Sequence, residues 1–195
     1  MQIKGILLAA GVGSRFGSQK LLAKMSDGTP IAVAAWLSLT KAHQDSIAVI
    51  RHGDHDVKRL FISQHIPFIE CPDASLGMSR SLIAAVRHSL QSDGWIIALG
   101  DMPFIKPATI SKLKDELCAL SEGQLFARPR FNSKEGNPVG ISKKLQDELL
   151  KLEGDEGARA LIKRHRSAVR LFDVEDAGVI RDVDTPEDLK AGGLI

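Results

Sequence analysis

Three groups of residues in this 195-residue chain have the types and spacing for phosphate chemistry. The first is Gly11-Val12-Gly13-Ser14-Arg15-Phe16-Gly17-Ser18-Gln19-Lys20, directly after the apolar run Ile6-Leu7-Leu8-Ala9-Ala10. Glycines let a backbone turn with positive φ and bring its N–H groups close to a ligand, while Arg15 and Lys20 supply the positive charge that a polyphosphate needs. The second is Gly100-Asp101-Met102-Pro103, a carboxylate in a tight turn. The third is the acidic stretch Asp182-Val183-Asp184-Thr185-Pro186-Glu187-Asp188-Leu189. Mg²⁺ takes oxygen ligands, commonly one or two carboxylates together with phosphates, so Asp101 with Asp184, or less readily Asp182, suits that ion. Each acidic group also has a structural reading: Asp101 as a turn former before proline, and Asp184 or Thr185 as the cap of a helix starting at Pro186.

Two familiar phosphate loops are disfavoured, although the second leaves an NADP enzyme open. A P-loop requires Lys-Ser or Lys-Thr after its last glycine, and Gly17 is followed by Ser18-Gln19-Lys20-Leu21. The dinucleotide fingerprint G-x-G-x-x-G is missed by one residue, and the second strand runs into Arg51-His52-Gly53 rather than a ribose-binding acid.

The elements that must position these groups follow from periodicity. Apolar runs over 3–9, 47–50, 67–71 and 95–99 read as buried strands. Helical spacing falls between them, over 31–42, 54–65, 78–90 and 107–120, with Thr29-Pro30 and Pro107 as helix-start signals. Further strands are expected over 125–129, 139–141 and 169–172, and helices over 143–152, 157–165 and 186–191. The alternation predicts an α/β fold with three layers, α/β/α, around a mostly parallel sheet, in a single domain spanning 1–195. In such sheets ligands sit beyond the carboxyl ends of the strands, so the glycine loop after the first strand and Asp101 after the 95–99 strand should face one crevice.

Composition narrows the function classes. A hydrophobic content of 44% and a charged content of 26% are ordinary for a globular protein. The net charge of +2, scattered basic residues and absence of tyrosine argue against a nucleic-acid partner. No apolar run approaches the ~20 residues of a membrane span, and the start lacks a secretory signal pattern, so a cytoplasmic protein is expected. Cys71 and Cys118 lack metal spacing and read as structural thiols of a reducing compartment. The six histidines form no visible nucleophile or base constellation.

Five motifs carry a resemblance over nearly the whole chain: Leu8-Ala9-Ala10-Gly11 with Arg15 and Lys20; Leu99-Gly100-Asp101-Met102-Pro103; Gly136-Asn137-Pro138-Val139; Gly154-Asp155-Glu156-Gly157-Ala158-Arg159; and 182–189. In this order they resemble the molybdenum cofactor nucleotidyltransferase family, its cytidylyltransferases most of all. The resemblance implies a Rossmann-like nucleotidyltransferase fold, an NTP with Mg²⁺, and a phosphorylated pterin acceptor. It places Leu8, Ala9, Ala10 and Gly11 under base and ribose, Arg15 and Lys20 on the triphosphate, and Ser75, Gly77 and Ser79 near nucleobase and ribose. Gly77 also opens a helix, where a phosphate contact is the competing local reading. Asp101 and Asp184 are implied as metal ligands, and Arg15, Lys20 and Asp101 as the catalytic set. Asn137, Asp155 and Arg159 fall where the family handles the pterin, although turn chemistry alone also accounts for Gly-Asn-Pro. Phe16 stands where relatives often have methionine.

The implied reaction is attack by the terminal phosphate of molybdenum-loaded molybdopterin on the α-phosphorus of CTP, with release of diphosphate. Ala10 points to CTP, because the guanosine enzymes of the family tend to carry glycine there. One methyl shifts discrimination by about 1–3 kcal/mol, so GTP stays open as the alternative. A sugar-phosphate or alcohol-phosphate acceptor and a non-catalytic protein that delivers the pterin also stay open, and transient contact with acceptor molybdoenzymes is implied.

Overall fold

The structure, a computed structural model, describes residues 1–11, 16 and 20–190. In chain order its main elements are β1 (Ile3–Ala9), α1 (Ile31–Ala42), β2 (Ser46–Arg51), α2 (His55–Ser63), β3 (Phe68–Cys71), α3 (Met78–His88), β4 (Gly94–Leu99) and α4 (Pro107–Cys118). The second part comprises β5 (Phe126–Phe131), β6 (Lys134–Glu135), β7 (Val139–Ser142), α5 (Gln146–Leu149), α6 (Ala158–Arg164), β8 (Val169–Asp173) and α7 (Pro186–Lys190). The strands form one eight-stranded sheet in the order β3-β2-β1-β4-β7-β5-β6, with β8 also paired to β5.

β1 to β4 are mutually parallel. They read as continuous apolar runs because both faces are covered. Leu7 and Ala9 of β1, with Ile96 and Ala98 of β4, pack against α1, α2 and α4 through Trp36, Phe61 and Leu113. Ile6 and Leu8, with Trp95 and Ile97, point the other way, against Leu82 and Val86 of α3, Leu149 of α5 and Leu161 of α6. This is the expected three-layer architecture. Burying each such side chain is worth about 1.5–3 kcal/mol, so the two layers hold the strand ends firmly in register.

The parallel order breaks at β7, which runs antiparallel to both β4 and β5. Its first residue, Val139, opposes Ile97, so the Asn137-Pro138 turn that leads into it lies at the carboxyl edge of the sheet, level with Leu99. A two-residue strand, β6, pairs back on β5 and was not expected from the sequence, being too short to show any period.

Several helix ends depart from expectation. Pro30 is the N-cap of α1 rather than its first-turn residue, and no side chain caps that helix. The helix expected over 143–152 is a 3₁₀ turn, Lys143–Leu145, followed by the single α turn Gln146–Leu149. Pro107 does open α4, yet the helix is capped from a distance. The buried carboxylate of Asp176 accepts the Lys106 N–H at 2.9 Å and the Thr109 hydroxyl at 2.6 Å, and its other oxygen takes the Gly178 N–H at 3.0 Å.

Candidate active site

β1 and β4 stop level with each other, Leu8 beside Leu99, and the chain leaves both at the same edge. Gly100 lets the two ends close up: its N–H donates to the Leu8 carbonyl at 2.9 Å, and a Cβ there would stand 3.1 Å from that oxygen and 3.2 Å from the Ala9 Cβ. Asp101 then turns outward, its backbone carbonyl held by the Val183 N–H at 2.9 Å. That bond brings the tail of the chain alongside and delivers Asp184.

The tail is fixed by the Asp188 carboxylate. Asp188 Oδ2 accepts the N–H of Asp184, the N–H of Thr185 and the Thr185 hydroxyl, at 2.9, 2.7 and 2.9 Å. A carboxylate in the first turn that reaches back to the N–H groups before it is half of a capping box. Asp188 thus holds the two N–H groups just before α7, while the Asp184 carboxylate faces the crevice. The Thr185 and Asp184 N–H groups and the Thr185 hydroxyl hold the Asp188 carboxyl below the usual carboxylate range.

Lys20 opens a 3₁₀ turn, Lys20–Leu22, after the glycine-rich segment. Its ammonium donates to Asp101 Oδ2 at 3.0 Å and to Asp184 Oδ1 at 2.8 Å, so residues 81 and 164 positions away meet on one cation. The Lys20 side chain is only 10% exposed, whereas Asp101 and Asp184 remain 31% and 46% exposed. Burial works to push the Lys20 pKa down, but the hydrogen bonds and charges of Asp184 and Asp101 outweigh it and hold the pKa above the ordinary lysine value. Two carboxylates on one ammonium leave a net negative charge directed at the cavity. That donor set suits a hard divalent cation completed by phosphate oxygens. Among the described residues no group of three or more His, Cys, Asp or Glu side chains comes together as a metal site.

These residues line a cavity of about 640 Å³. Leu8, Ala9, Ala10 and Gly11 come from the end of β1, Lys20 and Leu21 from the 3₁₀ turn, Asp101 and Asp184 from the acidic pair, and Asp155 from the segment before α6. One wall is the loop after β3, with Ala74, Ser75, Leu76, Gly77 and Met78. Ser75 and Gly77 thus stand where expected relative to the crevice. Arg15 lies outside the described residues.

Four expected residues do not line the cavity. Ser79 is fully buried, and its hydroxyl donates to the Glu153 carbonyl at 3.1 Å, so it holds two backbone segments together instead of meeting a ligand. Asn137 is half-buried at the carboxyl edge, its N–H donating to the Val179 carbonyl at 2.8 Å. Arg159 is exposed on α6, and Asp182 is exposed beyond the acidic pair. The reading of the α3 N-terminus as a phosphate site is corrected as well, because the Asp155 carboxylate already accepts the Met78 N–H there at 2.9 Å.

Two features escaped the sequence reading. Leu76, 62% exposed, and Met78 put an apolar lip on the cavity. The crevice rule could have pointed to them, since it applies to the loop after every parallel strand. The other is an arginine cluster beside the Asn137 turn. Arg128 donates from Nε to the Gly136 carbonyl at 2.7 Å and from Nη1 to Glu135 at 2.8 Å, and Arg166 donates to the same carboxylate. Burial lowers the Arg128 pKa, and the charges of Arg159 and Arg166 add to that against the pull of Glu135. No sequence spacing connects these four residues.

The chain is 28% identical over 195 residues to the purine catabolism protein PucB of Bacillus subtilis, covering 94% of this chain and 92% of that one. It is 26% identical over 184 residues to the molybdenum cofactor cytidylyltransferase of Escherichia coli, covering 94% and 91%. The crystal structure of Rv0371c from Mycobacterium tuberculosis superposes with a TM-score of 0.84 at 28% identity, covering 98% of this chain and 97% of that one. A complex of Rv0371c with manganese gives 0.80 at 26% identity, covering 98% and 97%. Residues 5–169, from β1 to the start of β8, match the family of MobA-like NTP transferase domains, and the chain belongs to that family.

Proposed function

We propose that the protein transfers CMP from CTP to the terminal phosphate of molybdenum-loaded molybdopterin, giving the cytosine dinucleotide form of the cofactor and diphosphate. The observation that carries the reading is the meeting of Lys20, Asp101 and Asp184 within 3.0 Å at the carboxyl ends of β1 and β4, in the wall of a nucleotide-sized cavity. Membership of the nucleotidyltransferase family supports transfer of a nucleotidyl group to a phosphorylated acceptor. The E. coli relative named for cytidylyl transfer supports the choice of nucleotide and acceptor. Ala10 adds to the former: it is buried in the cavity floor, where its methyl narrows the space for a base.

In this reading an oxygen of the acceptor phosphate forms a new bond to the α-phosphorus as the bond to the β-phosphate oxygen breaks, and diphosphate carries the electron pair away. The nucleophile is already an oxyanion, so no general base is required, which agrees with a cavity that no histidine lines among the described residues. Lys20, released from one or both carboxylates by the arriving triphosphate, neutralises its charge, as Arg15 does in the same reading. A divalent cation held by Asp101 and Asp184 would neutralise phosphate charge and help to align the reacting groups. Asn137 and Arg159, at the carboxyl edge and on α6, are the residues assigned to the acceptor.

The test is diphosphate release with Mg²⁺ and molybdenum-loaded molybdopterin, comparing CTP, GTP, ATP and UTP, with Asp101→Ala as control. CTP-dependent release that disappears in the variant supports the proposal. Preference for GTP moves the protein to guanylyl transfer and removes the argument from Ala10. Release only with a sugar or alcohol phosphate in place of the pterin changes the acceptor. Binding of nucleotide and pterin without diphosphate release makes the protein a carrier.

A further inference from the structure

The wall that brings Ser75, Leu76, Gly77 and Met78 to the cavity has no cap of its own. Gly77 occupies the N-cap of α3 with φ 121°, a left-handed conformation, and offers no side chain to the free N–H groups of the first turn. The missing acceptors come from residues 153–155. Asp155 Oδ1 takes the Met78 N–H at 2.9 Å, the Gly154 carbonyl takes the Ser79 N–H at 3.4 Å, and the Glu153 carbonyl takes the buried Ser79 hydroxyl at 3.1 Å. The fit is close: a Cβ on Gly77 would stand 2.5 Å from the Gly154 carbonyl oxygen. Three consecutive residues therefore brace the loop from outside the helix, and Asp155 reaches the cavity wall in doing so.

We infer that Asp155 is a positioning residue for the nucleotide: by holding the Met78 N–H it fixes residues 75–78 in the conformation that the bound nucleotide meets. The inference rests on the cavity being a nucleotide site, and on neither the identity of the base nor that of the acceptor. It changes the role expected for Asp155 from acceptor contact to support of the nucleotide wall. Arg159 lies four residues further on, so the brace also ties the segment assigned to the acceptor to the loop assigned to the nucleotide. Any coupling between binding at the two is equal in both directions.

The test is calorimetric titration of CTP with Mg²⁺ into the full chain, into Asp155→Ala and into Asp155→Asn, with KM for CTP and for the acceptor measured on the same samples. Loss of a helix cap of ordinary strength corresponds to about fivefold in an equilibrium, so Asp155→Ala raises the Kd and KM for CTP about fivefold and changes kcat less. Asp155→Asn, which can accept the same N–H, recovers most of the affinity. Gly77→Ala, which pushes the loop off the brace while leaving Asp155 in place, weakens CTP binding as well. An unchanged Kd for CTP in Asp155→Ala overturns the inference, whether the variant raises KM for the acceptor alone or only lowers the melting temperature. If the wild type prefers GTP or another acceptor, the proposed transfer fails while the same titration with the preferred nucleotide still decides the role of Asp155. A wild type that binds no nucleotide overturns both.

Discussion

The last forty residues lay two carboxylates onto the front half of the molecule with opposite consequences. Asp176 reaches the start of α4, is 2% exposed, and spends both oxygens on protein donors: the Lys106 and Gly178 N–H groups and the Thr109 hydroxyl. Asp184 reaches Lys20, is 46% exposed, and shares a single ammonium with Asp101. Both are acidic residues brought from far along the chain. A carboxylate whose donors are all protein groups stabilises the fold, whereas one left in charge excess at a cavity wall is available to a ligand. The acidic character of the tail is thus divided between architecture and chemistry by what each carboxylate finds opposite it.

The largest expected effect breaks the chemical side of this comparison. Asp101→Ala should lower diphosphate release by on the order of 10²–10³-fold, the usual cost of removing a group that stabilises transition-state charge. Its melting temperature should stay within roughly 2 °C of wild type, since the side chain is partly exposed and its partner keeps Asp184. Asp184→Ala should follow the same pattern with a smaller loss of rate.

Asp176→Ala should do the reverse. It leaves two backbone N–H groups and a buried hydroxyl without an acceptor, a loss of about 3 kcal/mol. For a chain of this size that lowers the melting temperature by roughly 6–12 °C in a thermal scan, while diphosphate release at 25 °C should persist. A variant that stayed stable but lost activity would erase the distinction between the two carboxylates.

The smallest effect concerns pH. The pKa of Asp188 is lowered by the Thr185 and Asp184 N–H groups and the Thr185 hydroxyl. A depressed carboxyl contributes stability that is fully present above its unfolded pKa, about 4, and is lost as pH falls through the lower folded value. Amide hydrogen exchange at Asp184 and Thr185 should therefore speed up below about pH 4 beyond the intrinsic change. In Asp188→Asn that extra acceleration should be absent.

How much of this was legible in the sequence depended on whether a local pattern carried it. β1 and α1 were readable to the residue, because burial on both faces gives β1 an unbroken apolar run and α1 follows a proline. The meeting of Asp101 with the end of β1 was readable because parallel strands deliver their loops to one edge. Ser79 was misjudged because its neighbours in the loop do line the cavity, and only the helical phase of α3 turns it inward. The caps supplied by Asp155, Asp176 and Asp188 were invisible for a different reason. A carboxylate that caps a helix seventy residues away leaves no spacing to read, and Asp188 was masked by the more familiar cap candidates before Pro186. β6 and the Arg128, Glu135, Arg159 and Arg166 cluster were set by tertiary packing alone.

The central claim, that Asp101 and Asp184 form a cation site which Lys20 occupies until a nucleotide draws it away, is tested most directly by titrating Mn²⁺ and following its electron paramagnetic resonance signal. The account predicts weak binding to the protein alone, at least about tenfold tighter binding with a non-hydrolysable CTP analogue by reciprocal linkage, and loss of that gain in both Asp101→Asn and Asp184→Asn. Mn²⁺ binding that is indifferent to the nucleotide, or that survives both substitutions, would contradict it.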